Sequence, residues 1–297
     1  MSPNAASAHD DLPSNWGRWG EDDQLGTLNL IDDAARARAA AEVRDGTSVS
    51  LARPTSPTPL TTGLSPFGTP STSPAPVMQT VNFNGFTPVA TTDSLLVNTH
   101  NVGLTHLDAL AHIPVDGRIY PGVPLADAVT PGGVRHGSAD PFTRGIITRG
   151  VLLDLAPEGS PLTAEDRISG GDLDDALERQ GAEVHAGDAI VVRGDWDLSA
   201  SMTAPAPGLD LSAVAWLDAH GAALYVGDIG DAHPPTLPMP MHQVALGRLG
   251  MPLVDVAQLD DLARTCAYLQ RWSFMLVLAP PRILGTTGLA VNPMAVF

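Results

Sequence analysis

The chain has 297 residues, 43% hydrophobic content and a formal net charge of −17. That composition supports a substantial core, and the acidic balance excludes nucleic acid and anionic membranes as partners, because both require a basic surface. All 16 basic residues are arginine, which excludes Schiff-base chemistry, a lysine-anchored pyridoxal cofactor and a phosphate-loop lysine.

Cysteine content and hydropathy predict the cell compartment. The single cysteine, Cys266, permits no intramolecular disulfide and is expected to be a small core residue. The chain opens with no basic and apolar signal, and no apolar run reaches the length of a membrane span. We therefore expect a cytoplasmic protein without membrane contact.

The first elements are predicted from composition and helix-start signals. Residues 1–13 are polar and small, which predicts a mobile tail before a single domain over 14–297. Asp32 and Asp33 precede an alanine-rich segment, which predicts a helix that ends near Gly46. Residues 53–76 are rich in Pro, Thr and Ser, and they form either a lid over a site or a plain surface excursion.

The segment 100–112 reads His-Asn-Val-Gly-Leu-Thr-His-Leu-Asp-Ala-Leu-Ala-His and carries the strongest chemical signal. Imidazoles and a carboxylate in an apolar stretch usually share a metal ion, a proton or a substrate. In an extended chain His106 and Asp108 point to the same side, which predicts two ligands. His112, four residues further on, is predicted to be a separate base. The plain alternative is a set of hydrogen-bonded structural histidines.

The second half of the chain alternates between strand and helix patterns. Four apolar, β-branched runs predict buried strands, and three amphipathic segments between them predict helices. Such alternation predicts an α/β chain with one sheet. The strands are predicted at 146–155, 189–193, 223–226 and 274–278, and the helices at 171–180, 211–220 and 259–270.

Several motifs resemble one known family when they are taken in order. The Thr105–His112 motif, followed by Asp116-Gly117 and Tyr120-x-Gly122, resembles the cyclase family of metal-dependent hydrolases, which includes bacterial kynurenine formamidase and isatin hydrolase. The opening Asn15-Trp-Gly-Arg-Trp-Gly20, the stretch Pro238–Gln243 and the ending Gly285-Thr-Thr-Gly288 are similar to the longer branch of that family, of about 300 residues.

The resemblance implies a fold and an assembly. The expected fold is a swivelling β/β/α arrangement, an α/β single domain with a mixed β core flanked by helices. Members usually assemble as homodimers or homotetramers. Trp16 and Trp19 in the opening arm could pack on a neighbouring subunit or fold back on their own domain.

The resemblance also implies the site residues. His106 and Asp108 match the metal-binding histidine and aspartate, and His112 matches the acid/base histidine. The short members carry their first ligand histidine where this chain has Val102, so His100, in register with the longer branch, is expected as the first ligand.

A second set of candidates lies later in the chain. His242 and Asp255 match the second metal centre of two-metal relatives, with Asp108 as the bridging carboxylate. Taken alone, His242 is a loop histidine and Asp255 a helix cap. Asp228, after a predicted strand, is expected to contact substrate or a ligand, and His233 is expected to line the pocket.

Three functions remain open from these residues. The first is a metal-dependent hydrolase that opens an amide, lactam or ester of a small cyclic or aryl-amide substrate. It would use one or two Zn²⁺ or Mn²⁺ ions, which suit imidazole and carboxylate ligands. The second is a cyclase, dehydratase or isomerase that uses His112 as acid/base, with the metal as Lewis acid or absent. The third is a non-catalytic small-molecule binding protein on the same scaffold.

Overall fold

The computed structural model describes residues 12–59, 75–85, 87, 89–197 and 204–297. The mobile-tail prediction for residues 1–11 and the central part of the proposed lid, residues 60–74, lie outside the described residues. Leu12 and Pro13 are held to the body, since their carbonyl groups accept hydrogen bonds from the Arg248 guanidinium at 2.9 and 3.2 Å.

The first α-helix begins where the sequence predicted it. Helix α1 spans Asp33–Ala41, and the carboxylate of Asp32 accepts a hydrogen bond from the Ala35 amide at 2.7 Å. The predicted end near Gly46 is wrong. The amides of Asp45 and Gly46 donate to the Phe297 carbonyl at 3.1 and 2.7 Å, which draws the chain out of the helix and into the first strand.

The described residues form eighteen strands, and nine of them make one mixed sheet. The sheet runs in the order β1-β18-β16-β10-β12-β14-β15-β5-β17, with β10, β12, β14 and β15 parallel and the outer pairs antiparallel. Its strands are β1 (Ser48–Ser50), β5 (His106–Asp108), β10 (Ile146–Asp154), β12 (Ala189–Arg193), β14 (Leu224–Gly227), β15 (Leu253–Asp255), β16 (Ser273–Leu278), β17 (Gly288–Ala290) and β18 (Met294–Val296).

All four predicted strands are confirmed in this sheet as β10, β12, β14 and β16, with shifts of one residue at some ends. Burial explains the continuous apolar runs of β10, β12 and β14, because parallel strands covered by helices face the core on both sides. β16 is antiparallel to both of its neighbours and is buried only at alternate residues. The prediction of one α/β domain built on a single main sheet agrees with this arrangement.

The helices cover the sheet. Helix α2 is a single turn, Leu125–Ala128, while α3 (Gly170–Gln180), α4 (Leu211–Ala219) and α5 (Asp260–Leu269) confirm the three predicted helices. Ser169 and Asp172 form a capping box at α3, and Asp210 caps α4. Short 3₁₀ turns occur at Gly26–Leu30, Asp140–Arg144 and Pro157–Gly159.

A π-helix, Pro240–Leu249, contains His242 and is almost entirely buried. The Val244 amide donates to the Met239 carbonyl five residues earlier, at 3.2 Å. Helical turns of this kind are rare and often occur at functional sites. His242, which the sequence alone assigned to a loop, therefore lies on a buried helix.

The remaining strands form four small sheets outside the main one. The largest joins β2 (Thr58–Pro59), β3 (Val77–Asn84) and β4 (Ala90–Val97). The others pair β6 (Arg118–Ile119) with β7 (Val123–Pro124), β8 (Val129–Thr130) with β9 (Gly133–Val134), and β11 (Arg167–Ile168) with β13 (Gly208–Leu209).

Strands β3 and β4, which were not among the predicted elements, form a hairpin that is exposed to solvent. Every residue of β4 is exposed, as is the outer half of β3. Its exposed apolar side chains include Val81 at 52%, Phe83 at 69% and Leu95 at 58% of their full accessibility. An isolated two-stranded ribbon is only marginally stable in water, so this surface lacks the burial that stabilises the rest of the chain.

The tryptophans of the opening arm fold back on their own domain. Trp16 Nε1 donates to the Gly247 carbonyl at 3.0 Å, and its ring lies against Gly122. Trp19 packs against the main core. Cys266 is completely buried, as predicted. Within the described part of the chain, no helix has the length and apolar character that crossing a bilayer requires.

Candidate metal centre and cavity

Strand β5 places the central histidine and aspartate on one face of the sheet. It is bordered by β15 and β17, and both neighbours are antiparallel to it. His106 lies directly opposite Asp255 of β15, and directly opposed residues of an antiparallel pair point to the same side. Asp108, two residues further along, shares that side. The register therefore brings three candidate ligands together from two distant segments.

A backbone carbonyl fixes the orientation of His106. Its Nδ1 lies 2.7 Å from the Leu104 carbonyl oxygen, which can only accept, so Nδ1 carries the hydrogen. Nε2 then presents its lone pair towards the Asp108 carboxylate, whose Oδ1 lies 3.5 Å away. This is the arrangement that metal-binding histidines commonly adopt.

His100 reaches the same carboxylate from the loop before β5. Its Nδ1 donates to Asp108 Oδ1 at 2.8 Å, and its Nε2 lies 3.0 Å from the Thr287 hydroxyl. Gly288 leaves room for this approach, because a Cβ there would lie 2.7 Å from the His100 ring and 2.6 Å from the Leu107 carbonyl oxygen. The glycine of the closing motif is thus explained by the close approach of both His100 and the β5 backbone.

His242 enters from the first turn of the π-helix. Its Nδ1 donates to Asp231 Oδ2 at 2.7 Å. On the other side of the ring, Nε2 lies 3.2 Å from Asp255 Oδ2 and 3.6 Å from Asp108 Oδ2. Burial lowers the pKa of His242, but the surrounding carboxylates outweigh it and raise that pKa well above its ordinary value.

Asp108 is the common member of these contacts. Its side chain is fully buried, and its Oδ2 has no hydrogen-bond partner among the described residues. Burial raises the pKa of Asp108, but the hydrogen bond from His100 and the neighbouring imidazoles of His242 and His106 hold it well below its usual range. A buried, ionised oxygen without a hydrogen-bond donor is costly, and such a position calls for a cation.

His112 completes the cluster from the loop after β5. Its ring stacks on that of His100, with centroids 3.7 Å apart and planes 6° from parallel. Burial lowers the pKa of His112 to about 4, against the attraction of Asp108. Its ring also faces the cavity, so it lies next to the ligand candidates and next to the space that a substrate would occupy.

The donor atoms form two groups that share Asp108. One consists of His100, Asp108 and His112, and the other of His106, Asp108 and Asp255; in each group the potential ligand atoms lie within 4.8 Å of one another. Imidazole and carboxylate donors suit zinc and manganese. The unpartnered Oδ2 of Asp108 is the observation that makes the residues present fit a divalent ion.

The cluster forms one wall of a cavity of ≈ 360 Å³. That volume is in the range of small-molecule sites, about 300–1,000 Å³. Small and apolar side chains also line the cavity, among them Val102, Ala206, Pro235 and Met239. The cavity thus combines titratable side chains with apolar ones, which is the composition expected of a small-molecule site.

The backbone is strained immediately after Asp255. Val256 has φ = 60°, a conformation that is unfavourable for a β-branched residue. Its carbonyl accepts a hydrogen bond from the Thr105 hydroxyl at 2.6 Å, and the next amide, of Ala257, donates to Gly227 at 3.0 Å. These bonds hold the strained turn that places Asp255 and Val256 on the cavity wall, and such strain clusters at functional sites.

The structure brings most of the predicted site residues together, and Asp228 is the exception. His100, His106, His112, His233, His242 and Asp255 line the cavity, and Asp108 lies directly beneath them. The carboxylate of Asp228 instead accepts hydrogen bonds from the amides of Gly194 and Trp196, at 2.7 and 3.4 Å. It borders a separate depression with Arg53, so the expected substrate contact in the cavity finds no support here.

Two site residues were not assigned from the sequence. Asp231 and Thr287 each hydrogen-bond to a candidate ligand histidine. Thr287 belongs to the closing motif Gly285–Gly288, and Asp231 follows β14 by four residues, but neither has a spacing that marks it as a site residue. The only sequence signal was the occurrence of Thr287 in that motif. The alternative that Asp255 caps α5 is wrong, since Leu259 precedes that helix without a side-chain cap.

A mixed α/β fold carries a cavity walled by histidines and aspartates, which offers candidate metal ligands beside a space for a small molecule. The family model described as "putative cyclase" matches residues 49–231. This chain belongs to the cyclase family. The match includes the segment 100–112 but ends before His242 and Asp255. None of the curated proteins matches this chain.

Solved structures agree with this assignment. The crystal structure described as a novel cyclase has 26% identity and a TM-score of 0.81, covering 96% of this chain and 99% of that chain. An isatin hydrolase bound to the product analogue thioisatinate has 21% identity and a TM-score of 0.59 over 86% and 93%. Isatin hydrolase A from Ralstonia solanacearum has 20% identity and a TM-score of 0.59 over 89% and 96%. The predicted cyclase-like fold is confirmed.

Proposed function

We propose that this protein is a metal-dependent hydrolase that opens an amide, lactam or ester bond of a small cyclic or aryl-amide substrate. The observation that carries the proposal is the convergence of four imidazoles and two carboxylates around the unpartnered Oδ2 of Asp108, on the wall of a cavity. The likeness of the fold to that of isatin hydrolases supports a carbon–nitrogen bond as the target.

The ligand roles follow from the orientation of the side chains. His106 and Asp108 would hold the ion together with Asp255, His242 and His100. Asp108 belongs to both groups of candidate ligands, so its carboxylate would be shared between them if two ions bind. When bound, a Zn²⁺ or Mn²⁺ ion lowers the pKa of a water molecule and polarises a carbonyl oxygen.

His112 would move the proton in this reaction. Its ring borders the cavity and stacks on His100, so it would lie beside a substrate bound there. As a general base it would take a proton from the attacking water, and as a general acid it would give that proton to the leaving nitrogen or oxygen. The apolar side chains of Val102 and Met239 would pack on the ring of the substrate, and His233 would contact its polar edge.

A second candidate, a cyclase, dehydratase or isomerase, is favoured by the contacts of His100. Both of its ring nitrogens are engaged in hydrogen bonds, one to Asp108 and one to Thr287. If His100 keeps those bonds, it binds no ion, and the site has fewer ligands. His112 would then act as acid/base with a single ion as Lewis acid, or without one.

We also propose that the protein assembles as a homodimer or homotetramer through the hairpin of β3 and β4. Residues 77–97 carry one charged side chain, Asp93, in a chain of net charge −17. Two acidic copies repel each other least where their surfaces carry no charge. No strand among the described residues pairs with the outer edge of β4, so a second copy could extend this sheet.

The experiment combines metal analysis with a substrate panel. Protein purified without chelators should contain near-stoichiometric zinc or manganese by mass spectrometry and should hydrolyse at least one cyclic amide, aryl formamide or aryl ester. Removal of the metal should abolish turnover, and its return should restore it. Turnover that persists after complete removal would favour the second candidate. Protein without bound metal and without turnover on the panel would overturn the hydrolase proposal.

A further inference from the structure

Asp231 makes three hydrogen bonds at the start of the π-helix. Its Oδ1 accepts from the Met241 amide at 2.8 Å, and its Oδ2 accepts from the His242 amide at 3.2 Å and from His242 Nδ1 at 2.7 Å. The carboxylate is only 10% exposed. One side chain thus holds both the backbone and the imidazole of the same residue.

We propose that Asp231 is the positioning residue of the metal centre, and that it acts only through His242. A carboxylate on Nδ1 fixes the hydrogen there and leaves Nε2 as the atom that can bind an ion. That nitrogen faces Asp255 and Asp108, at 3.2 and 3.6 Å. The hydrogen bonds to the two amides fix the rotation of the first π-helical turn, so the ring cannot swing away from Asp108.

Two of the candidate ligand histidines, His106 and His242, differ in the group that accepts the hydrogen bond from Nδ1. The neutral carbonyl of Leu104 orients His106, whereas a carboxylate orients His242. A carboxylate makes the imidazole a stronger electron donor than a carbonyl does. His106 lies on a strand of the main sheet, whereas His242 lies on the π-helix. The position of His242 therefore depends on its hydrogen bond to Asp231 and not on strand register. Loss of Asp231 should therefore weaken metal binding.

The competing explanation is that Asp231 serves only as a helix cap. Asp210 is a matched control, because its carboxylate accepts hydrogen bonds from the amides of Ser212 and Ala213 and from the Ser212 hydroxyl at the start of α4, and from no histidine in the described part of the chain. A cap role alone predicts that Asp231→Asn and Asp210→Asn lower the melting temperature and leave metal affinity unchanged. The positioning role predicts a loss of affinity for Asp231→Asn alone.

The experiment is a double-mutant cycle on metal affinity, with Zn²⁺ as the probe in competition against a chelator. We expect Asp231→Asn to weaken Zn²⁺ binding by about 10- to 100-fold, the scale of losses from residues that support a ligand. In a His242→Ala background the same substitution should cost almost nothing further, because Asp231 acts through that ring. Asp231→Ser retains an acceptor for the helix amides, so it should recover the melting temperature but not the affinity.

The outcomes separate this inference from the proposed function on which it rests. Parent affinity in Asp231→Asn would overturn the positioning role while the metal centre stands. Full additivity of the Asp231 and His242 losses would also overturn it, since the two would then act independently. If the parent protein itself binds no Zn²⁺ or Mn²⁺, the proposed function fails, and the positioning role fails with it. If Asp231→Asn does not fold, Asp231→Ser decides between the two roles.

Discussion

Strands β4 and β5 are neighbours in sequence but have opposite environments. β4 ends at Val97 and is exposed along its whole length, whereas β5 begins at His106 and is buried at every residue. β5 is flanked on both sides by strands from the last fifty residues of the chain, β15 and β17. β4 pairs only with β3, its immediate predecessor.

The difference shows that the buried strand holds its side chains rigidly, whereas the exposed strand leaves its side chains accessible to other molecules. Side chains on β5 are held by distant strands, so their positions are fixed before any ion or substrate binds, which is what a metal centre requires. The hairpin has only local partners and leaves Phe83 and Leu95 in solvent. Such a surface suits contact with another molecule and is a poor place for a catalytic group. Substitutions in the cluster around β5 and in the hairpin test the two sides of this contrast.

The largest expected effect is at the centre of β5. Replacing His106 and Asp108 together by alanine should strip the metal, because two ligands from one strand are lost, while the fold remains largely intact. Mass spectrometry for metal content and circular dichroism for folding measure the two properties. Asp93→Ala, an exposed carboxylate of the hairpin, is the control and should retain full metal content. Unchanged metal in the double variant would reject the assignment of both ligands.

The next largest effect is expected at His112. His112→Ala should keep most of the metal and lose turnover by about a hundredfold or more, the usual contribution of a positioned acid/base. His220, which stacks on Trp216 away from the cavity, provides a control histidine. If metal is lost together with activity, His112 is a ligand of the group it forms with His100 and Asp108, and the division of roles is wrong.

A smaller effect is expected at His100. His100→Ala should weaken metal binding by at least about tenfold if its ring joins the coordination, the lower end of what loss of a supporting residue costs. Chelator competition gives the affinity. Gly288→Ala, which crowds the His100 ring, should reproduce part of the loss. Affinity equal to the parent in both variants would leave His100 as a hydrogen-bonded structural residue and would favour the second candidate function.

Substitutions in the hairpin are predicted to change the assembly of the protein without changing its metal content. Leu95→Ser with Leu96→Ser should shift the protein towards monomers in light scattering, because the apolar surface that drives association is lost. Metal content should stay at the parent value. Val43→Ser, at an exposed apolar residue elsewhere, should change neither property. An unchanged molecular mass would exclude the hairpin as the interface.

The last prediction concerns stability and not the metal centre, and it is a pH-dependent component of stability at Asp228. Burial raises the pKa of Asp228 to about 7, although the amides of Gly194 and Trp196 oppose the shift. Between pH 4 and 7 the folded state therefore holds a proton that the unfolded state releases, and stability falls as pH rises through that window. Asp228→Asn removes this component.

Urea unfolding across pH 4 to 8 measures the effect. The free energy of unfolding of Asp228→Asn relative to the parent should rise with pH between about 4 and 7, by at most about 1.4 kcal/mol per unit, and should then level off. Asp33→Asn, an exposed carboxylate at the start of α1, serves as the control for non-specific charge effects. A difference that does not change with pH would contradict the raised pKa.

Local patterns determined the regular elements and the first candidate ligands. The apolar runs of β10, β12, β14 and β16, the Asp32 cap and the three later helices could be read because burial and hydrogen-bond periodicity are properties of a few consecutive residues. The two-residue spacing of His106 and Asp108 likewise places both on one side of a strand. The mixed cluster of imidazoles and carboxylates was therefore predictable as a candidate metal site.

Only the tertiary structure decided the rest, because it depends on pairings between segments that are distant in the chain. The register of β5 with β15 sets Asp255 beside His106, and Gly288 of β17 makes the space for His100. Asp231 became visible only when the π-helix brought His242 to it. A side chain that supports a ligand carries no spacing of its own, since its partner is fixed by the fold and not by the sequence around it.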